Sequence, residues 1–183
     1  MMRIMSPRAI IKIVVGTALL ASPALLALSG EAATPAPVEN GAYESLIKLM
    51  QSASTDLKEG LRISERLGEP ISAKFEVEGG KLQLSIYIRK GGEFFEVLVD
   101  YKTVNILKVA AIDDGEELAA AKVQDLAMDQ AKISLKTAVD KAMVQMASAR
   151  VLEAVPDLKD GRPGASINLL KDNQASTIYL PLD

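Results

Sequence analysis

Asp113, Asp114, Glu116 and Glu117 set four carboxylates within five residues, an oxygen-rich run of the kind that can hold a hard cation such as calcium. The same residues also suit a helix start, where acids accept from unpaired backbone N–H groups and meet the positive end of the helix dipole. Their spacing matches no EF-hand loop. Asp157 and Asp160 could join them only if the two halves of the chain fold towards each other. Ser45-Leu46-Ile47-Lys48 has the S-x-x-K form in which a lysine activates a serine, but its companion motifs are missing. Leu46 and Ile47 belong instead to the apolar face of a short helix. No pair of carboxylates stands out as an acid/base couple, no catalytic residue is expected, and the one cofactor considered is a hard cation at the acidic run.

Composition narrows the chemistry further. The 183 residues include no Cys, His or Trp. A thiol nucleophile, a disulfide, a Cys/His zinc site and a histidine-based triad are therefore excluded. Basic residues are spread along the chain without a dense run and aromatics are only 4%, so no nucleic-acid partner is expected.

The N-terminus reads as an export signal. Arg3, Arg8 and Lys12 precede an uncharged run from Ile13 to Leu28, broken by Gly16 and Pro23, with small residues near Gly30-Glu31-Ala32. That is the layout of a secretory signal peptide over residues 1–33. The run falls short of the roughly 20 apolar residues that span a bilayer, so the mature chain is expected in the periplasm or secreted, without stable membrane insertion. It carries 18 basic and 23 acidic side chains, a mildly acidic balance.

The elements that must position any site follow in order. Residues 34–53 are a Pro/Ala linker and a short helix in which Leu46, Ile47 and Met50 recur at helical spacing. Ser54-Thr55-Asp56 caps a second helix bearing Leu57 and Leu61, which Gly68-Glu69-Pro70 ends. Ile71, Ala73, Phe75 and Val77 alternate with polar neighbours, as do Leu82, Leu84, Ile86 and Ile88, then Phe95, Val97 and Val99, with Gly79-Gly80 and Gly91-Gly92 between the runs. Period-two segments joined by Gly-Gly turns predict an antiparallel meander with one buried face. A fourth strand is possible over Asn105–Ala111. Asp113-Asp114-Gly115 then caps a connecting helix within 113–132, with Leu118, Ala119, Ala121 and Leu126 for an apolar stripe. Residues 133–183 supply another helix and strand candidates at 149–155, 165–170 and 176–182. Pro156–Gly164 is expected to form a long loop, and Pro181 to confine its strand to an edge.

The second half thus repeats the order of the first. Laying Leu135 on Leu57 and Asp183 on Asp100 leaves only a few surplus residues, and the buried positions agree. With Val97-Leu98-Val99-Asp100-Tyr101-Lys102-Thr103 ending the third strand, the chain resembles the PepSY domain family, whose unit is a helix followed by a three- or four-stranded antiparallel sheet with such an ending. The departure is Val104, where the family usually has Gly; Asn105 can supply the left-handed turn residue one position later. The resemblance covers about residues 54–112, and less specifically 133–183, where Leu180-Pro181-Leu182-Asp183 ends without the turn.

The expected architecture is α+β: two tandem PepSY-like units, 54–112 and a truncated 133–183, joined by the helix within 113–132. The resemblance implies an exported, non-catalytic domain, often attached to peptidases and thought to restrain them. A protein partner, a peptidase among the candidates, is the leading expectation, and an envelope binder of a small ligand or hard cation is the alternative. Tyr87, Phe94 and Leu98 fall opposite the buried register and mark a candidate partner surface. Cover of that face by the N-terminal helix or the other half of the chain is the preferred competing account.

Overall fold

The computed structural model describes residues 40–183, with side chains from Tyr43 onward. The expected signal peptide and Pro/Ala linker lie outside the described residues. Four helices and seven strands follow in the order α1 (Asn40–Met50), α2 (Leu57–Ser64), β1 (Glu69–Glu78), β2 (Lys81–Lys90), β3 (Glu93–Val99), β4 (Ile106–Ile112), α3 (Gly115–Gln130), α4 (Leu135–Gln145), β5 (Arg150–Lys159), β6 (Arg162–Lys171) and β7 (Gln174–Pro181). The α+β class is as expected.

Local chemistry explains most of the boundaries. The Asp56 side chain accepts from the Glu59 N–H at 2.8 Å and starts α2; Ser134 accepts from the Thr137 N–H at 3.2 Å and starts α4. The four two-residue hairpin turns, Gly79-Gly80, Gly91-Gly92, Asp160-Gly161 and Asp172-Asn173, hold both central residues at positive φ, the conformation whose twist matches the flanking strands.

All seven strands join one antiparallel sheet, ordered β4-β3-β2-β1-β5-β6-β7. The two sets of strands expected from the sequence therefore share a sheet, through a short seam in which Ala73 faces Ala154 and Lys74 faces Glu153. On one side of the sheet α1 and α2 lie over β1 and β2, and α4 lies over β5 and β6. Leu57, Leu61, Ile71, Leu84, Ile86, Ile88, Leu135, Ile167 and Leu169 are sealed in this layer.

The helix expected only to connect the halves does more. α3 packs against β1, β5 and β6, and its contacts fall on the pleat opposite the main core. Ser72 donates to Gln124 at 2.7 Å, while Arg89 pairs with Asp125 at 2.9 Å and with Asp129. Of the expected apolar stripe Ala121 is buried and Leu118 half-buried, while Ala119 and Leu126 face solvent; Ala127 and Met128 complete what the helix buries.

The expected long loop at 156–164 is a hairpin. β5 continues to Lys159, with Pro156 opposite Ala165 and Leu158 opposite Pro163. Proline is tolerated at 156 because β5 pairs with β1 only at Glu153 and Ala154, so no partner on that side needs its missing N–H. Pro181 lies on β7, an edge strand, as expected.

Candidate functional site

The β3–β4 turn is built by Asp100. Its carboxylate accepts from the N–H groups of Lys102 at 2.7 Å and Thr103 at 2.9 Å, and these two bonds hold its carboxyl below the usual range. The Val104 N–H closes on the Asp100 carbonyl at 2.9 Å. Val104 itself takes the left-handed conformation, φ 63. The sequence assigned that role to Asn105; the structure leaves it at the very position where the resembled family carries Gly.

This turn delivers β4 to the edge of the sheet. β4 pairs with β3 alone, and the helices pack over β1, β2, β5, β6 and β7 without substantial cover for β3 or β4. Ile106, Leu107 and Val109 are 40%, 60% and 46% exposed. Lys108 is the single charge in the strand, which contains no proline. Of the devices that blunt natural edge strands, charge, proline and bulges, β4 carries two: Lys108, and an extra residue at Leu107 between the Leu98–Lys108 and Val99–Ile106 pairs. The opposite edge is more polar: β7 carries Ser176, Thr177 and Pro181. β4 therefore combines free backbone donors and acceptors with exposed apolar side chains.

The three residues proposed from sequence as a partner surface are placed differently from one another. Tyr87 is 9% and Phe94 is 8% exposed, while Leu98 is half-buried. Phe94 lies between Arg89 and Ile112 in the ladder. Tyr87 sits between Ser72 and Glu96, with the Lys74 ammonium 5.5 Å from its ring centroid, and burial pushes its hydroxyl above the ordinary tyrosine range. Of the three, Leu98 alone is more than marginally open, and its ladder neighbour on the edge is Lys108. The signal available in the sequence was the run Ile106–Ile112, apolar except for Lys108.

A polar row fills the middle of the same pleat. Ser85 lies within hydrogen-bonding distance of Glu76 at 2.8 Å and Glu96 at 2.9 Å, and with one proton it can donate to one of them at a time. Lys74 pairs with Glu76 at 2.7 Å. Across the seam, Asn168 donates to Glu153 at 2.7 Å and accepts from Thr177 at 2.6 Å. Burial pushes the Glu153 carboxyl up, opposed by the Asn168 bond and the Lys74 charge. These contacts cross-link neighbouring strands.

The acidic run stands apart from both features. Asp113, Asp114 and Glu116 are exposed and Glu117 is half-buried. Asp114 is the N-cap residue of α3 by backbone position, without a side-chain capping bond. Among the described residues no three acidic side chains gather where a metal ion could be held. Ser45 and Lys48 are exposed on α1, whose buried residues are Leu46 and Met50. An open cleft of about 450 Å³ lies where the end of α2, the start of β1 and the α3–α4 link meet; Lys136 and Glu65 on its wall are 3.5 Å apart.

Among the described residues no helix is long and apolar enough to cross a membrane. No protein-family model matches the chain, and no match is found among curated proteins. The chain is similar to a solved structure from Clostridium difficile 630 described as a candidate lipoprotein, at 13% identity and a TM-score of 0.39, over 67% of this chain and 82% of that one. A likeness this loose places neither fold nor function.

Proposed function

We propose that this chain is an exported, non-catalytic module of the PepSY type, two helix-plus-sheet units joined by α3, that binds another protein through the free edge of β4. The observation that carries the reading is the open strand itself: Ile106, Leu107 and Val109 exposed on a β4 that pairs on one side only. An extended segment of a partner can add a strand there, its backbone supplying affinity and its alternate side chains meeting the apolar ones of β4. The absence of Cys and His supports a binding role over a catalytic one. A peptidase is the first partner class to test, on the PepSY resemblance of residues 97–103.

The test compares residues 34–183 with their Leu107→Lys and Val109→Lys variants as bait in an envelope extract of the source organism, followed by a fluorogenic peptide assay on any peptidase recovered. A protein retained by the unaltered chain and lost with both variants is expected, with peptidase turnover falling as the chain is added. Equal retention by all three baits would remove the β4 placement. Retention of nothing above background would remove the protein-binding reading.

A further inference from the structure

We infer that the cleft beside the α3–α4 link binds a guanidinium group, because it is the counterpart of a site that Arg150 fills from within in the other half of the molecule. The inference is independent of the reading of β4.

The links that precede α2 and α4 are held by the same bonds. Before α2, the Ala53 N–H donates to the Met50 carbonyl at 3.1 Å, and the N–H groups of Ser54 and Thr55 donate to the Tyr101 carbonyl at 3.1 and 3.0 Å. Before α4, the Ala131 N–H donates to Met128 at 3.1 Å, and those of Lys132 and Ile133 donate to Leu182 at 2.7 and 3.2 Å. Asp56 and Ser134 then cap their helices from equivalent positions. The strands after the helices match as well. β1 starts at Glu69, opposite Arg89, and shifts register between Pro70 and Ser72; β5 starts at Arg150, opposite Leu170, and shifts between Val151 and Glu153. Ala73 faces Ala154 where the two strands meet. A local twofold there carries the start of each strand to the link of the other half.

One of the two places is filled. The Arg150 guanidinium donates to the carbonyls of Met50 at 2.6 Å, Thr55 at 3.0 Å and Ala53 at 3.1 Å. Their counterparts are the carbonyls of Met128, Ile133 and Ala131, and all three residues line the cleft of about 450 Å³, a size usual for small-ligand sites. The residue in the place of Arg150 is Glu69, also on the cleft wall, and a carboxylate cannot donate to a carbonyl. Glu69 instead accepts from Arg89 at 2.6 Å. Among the described residues no side chain donates to the carbonyls of Met128, Ala131 or Ile133. The link therefore repeats the three acceptors that hold a planar guanidinium, whose fixed fork of N–H donors suits them better than a point-like ammonium.

The charges around the cleft permit a cation. Lys136 stands where the first half has Lys58, and each is held by an acid of the facing helix, Lys136 by Glu65 at 3.5 Å and Lys58 by Asp140 at 2.6 Å. The filled half therefore carries the same lysine. Glu69, Asp125 and Asp129 together face the one Arg89, which leaves an acidic surplus at the β1 end. Two features oppose it: the positive end of the α4 dipole and Lys132, exposed on the cleft wall where the other link has Ser54.

The test titrates the mature chain, residues 34–183, with N-acetyl-arginine amide and with N-acetyl-lysine amide, by calorimetry and by carbonyl 13C NMR. The arginine amide is expected to bind saturably and roughly tenfold tighter than the lysine amide. Carbonyl resonances of Met128, Ala131 and Ile133 are expected to move, while those of Met50, Ala53 and Thr55, already held by Arg150, stay in place. Glu69→Arg supplies the guanidinium from within, as Arg150 does, and is expected to abolish binding and raise Tm. Lys132→Ser restores the residue of the other link and is expected to tighten binding severalfold. Methylguanidinium binding as tightly as the arginine amide would assign the site to free guanidino compounds, and tighter binding of an arginine peptide flanked by alanines would assign it to an arginine of a polypeptide; either upholds the inference. No saturable binding of the arginine amide, or equal binding of the two amides, would overturn it. Resonance shifts confined to other residues, or an affinity that neither substitution changes, would overturn the placement in this cleft.

Discussion

Val104 and Glu153 show how single residues set stability here. A β-branched side chain in the left-handed region, as at Val104 with φ 63, costs roughly 1–2 kcal/mol, which glycine avoids at the expense of a more flexible unfolded chain. Val104→Gly is expected to stabilise the protein by about 1 kcal/mol, raising Tm by roughly 3 °C in a domain of this size; thermal melting followed by circular dichroism checks it. Glu153 is the opposite kind of case, a carboxylate whose pKa is raised by burial despite its bond from Asn168 and the nearby Lys74. Its folded pKa lies above its unfolded one, so the folded state holds the proton more tightly in between. That contribution is present in full below the unfolded value and is lost as pH rises through the folded one. Glu153→Gln keeps an acceptor for Asn168 and removes the buried charge. It is expected to raise Tm at pH 7 and to flatten the fall in stability as pH rises from the ordinary glutamate range upward; an unchanged pH profile would assign the slope to other groups.

Close approaches between elements fix how helices and strands sit. The α2–β1 link crosses the end of β2 at Gly68, where an added Cβ would stand 2.5 Å from the Arg89 carbonyl oxygen and 3.0 Å from the Ile88 side chain. Backbone cannot yield as a side-chain tip can, so Gly68→Ala must shift the link or the strand. The expected cost is about 2–3 kcal/mol, within the range for overpacked sites, measured by urea unfolding with an unchanged m-value. At the neighbouring contact Arg89 reaches Glu69 at 2.6 Å as well as Asp125 and Asp129 on α3, and so ties that helix to the sheet.

The whole molecule is held together across its middle by few but varied contacts. The seam has two registered residue pairs, and α2 packs against α4, with Lys58 pairing Asp140 at 2.6 Å. Arg150 at the start of β5 donates to the carbonyls of Met50 at 2.6 Å, Thr55 at 3.0 Å and Ala53 at 3.1 Å, pinning the α1–α2 link from the other half of the chain. Arg150→Met leaves three partly buried carbonyls without that donor and is expected to cost about 3 kcal/mol. Because the halves share core, seam and clasp, heat is expected to unfold residues 34–183 in one transition with equal calorimetric and van't Hoff enthalpies. Two resolved steps would mean that the halves stand independently.

The sequence by itself determined the local order: which runs are helices, which are strands, where the hairpins turn and which residues share a pleat. Those follow from periodicity, capping and turn chemistry, all of which act over a few residues. It misread Pro156–Gly164 as a loop, because whether a proline is harmful depends on what pairs beside it, and that neighbour is β1, far away in the chain. Likewise alternation put Tyr87, Phe94 and Leu98 on one face but could not say that the first two would be enclosed, nor that α3 would cross that side of the sheet. Only the tertiary structure decided the strand order, the single sheet, and the choice of β4 as the strand left open. Those outcomes depend on long-range pairings between the halves, and no short stretch of residues encodes which edge a sheet will leave unpaired.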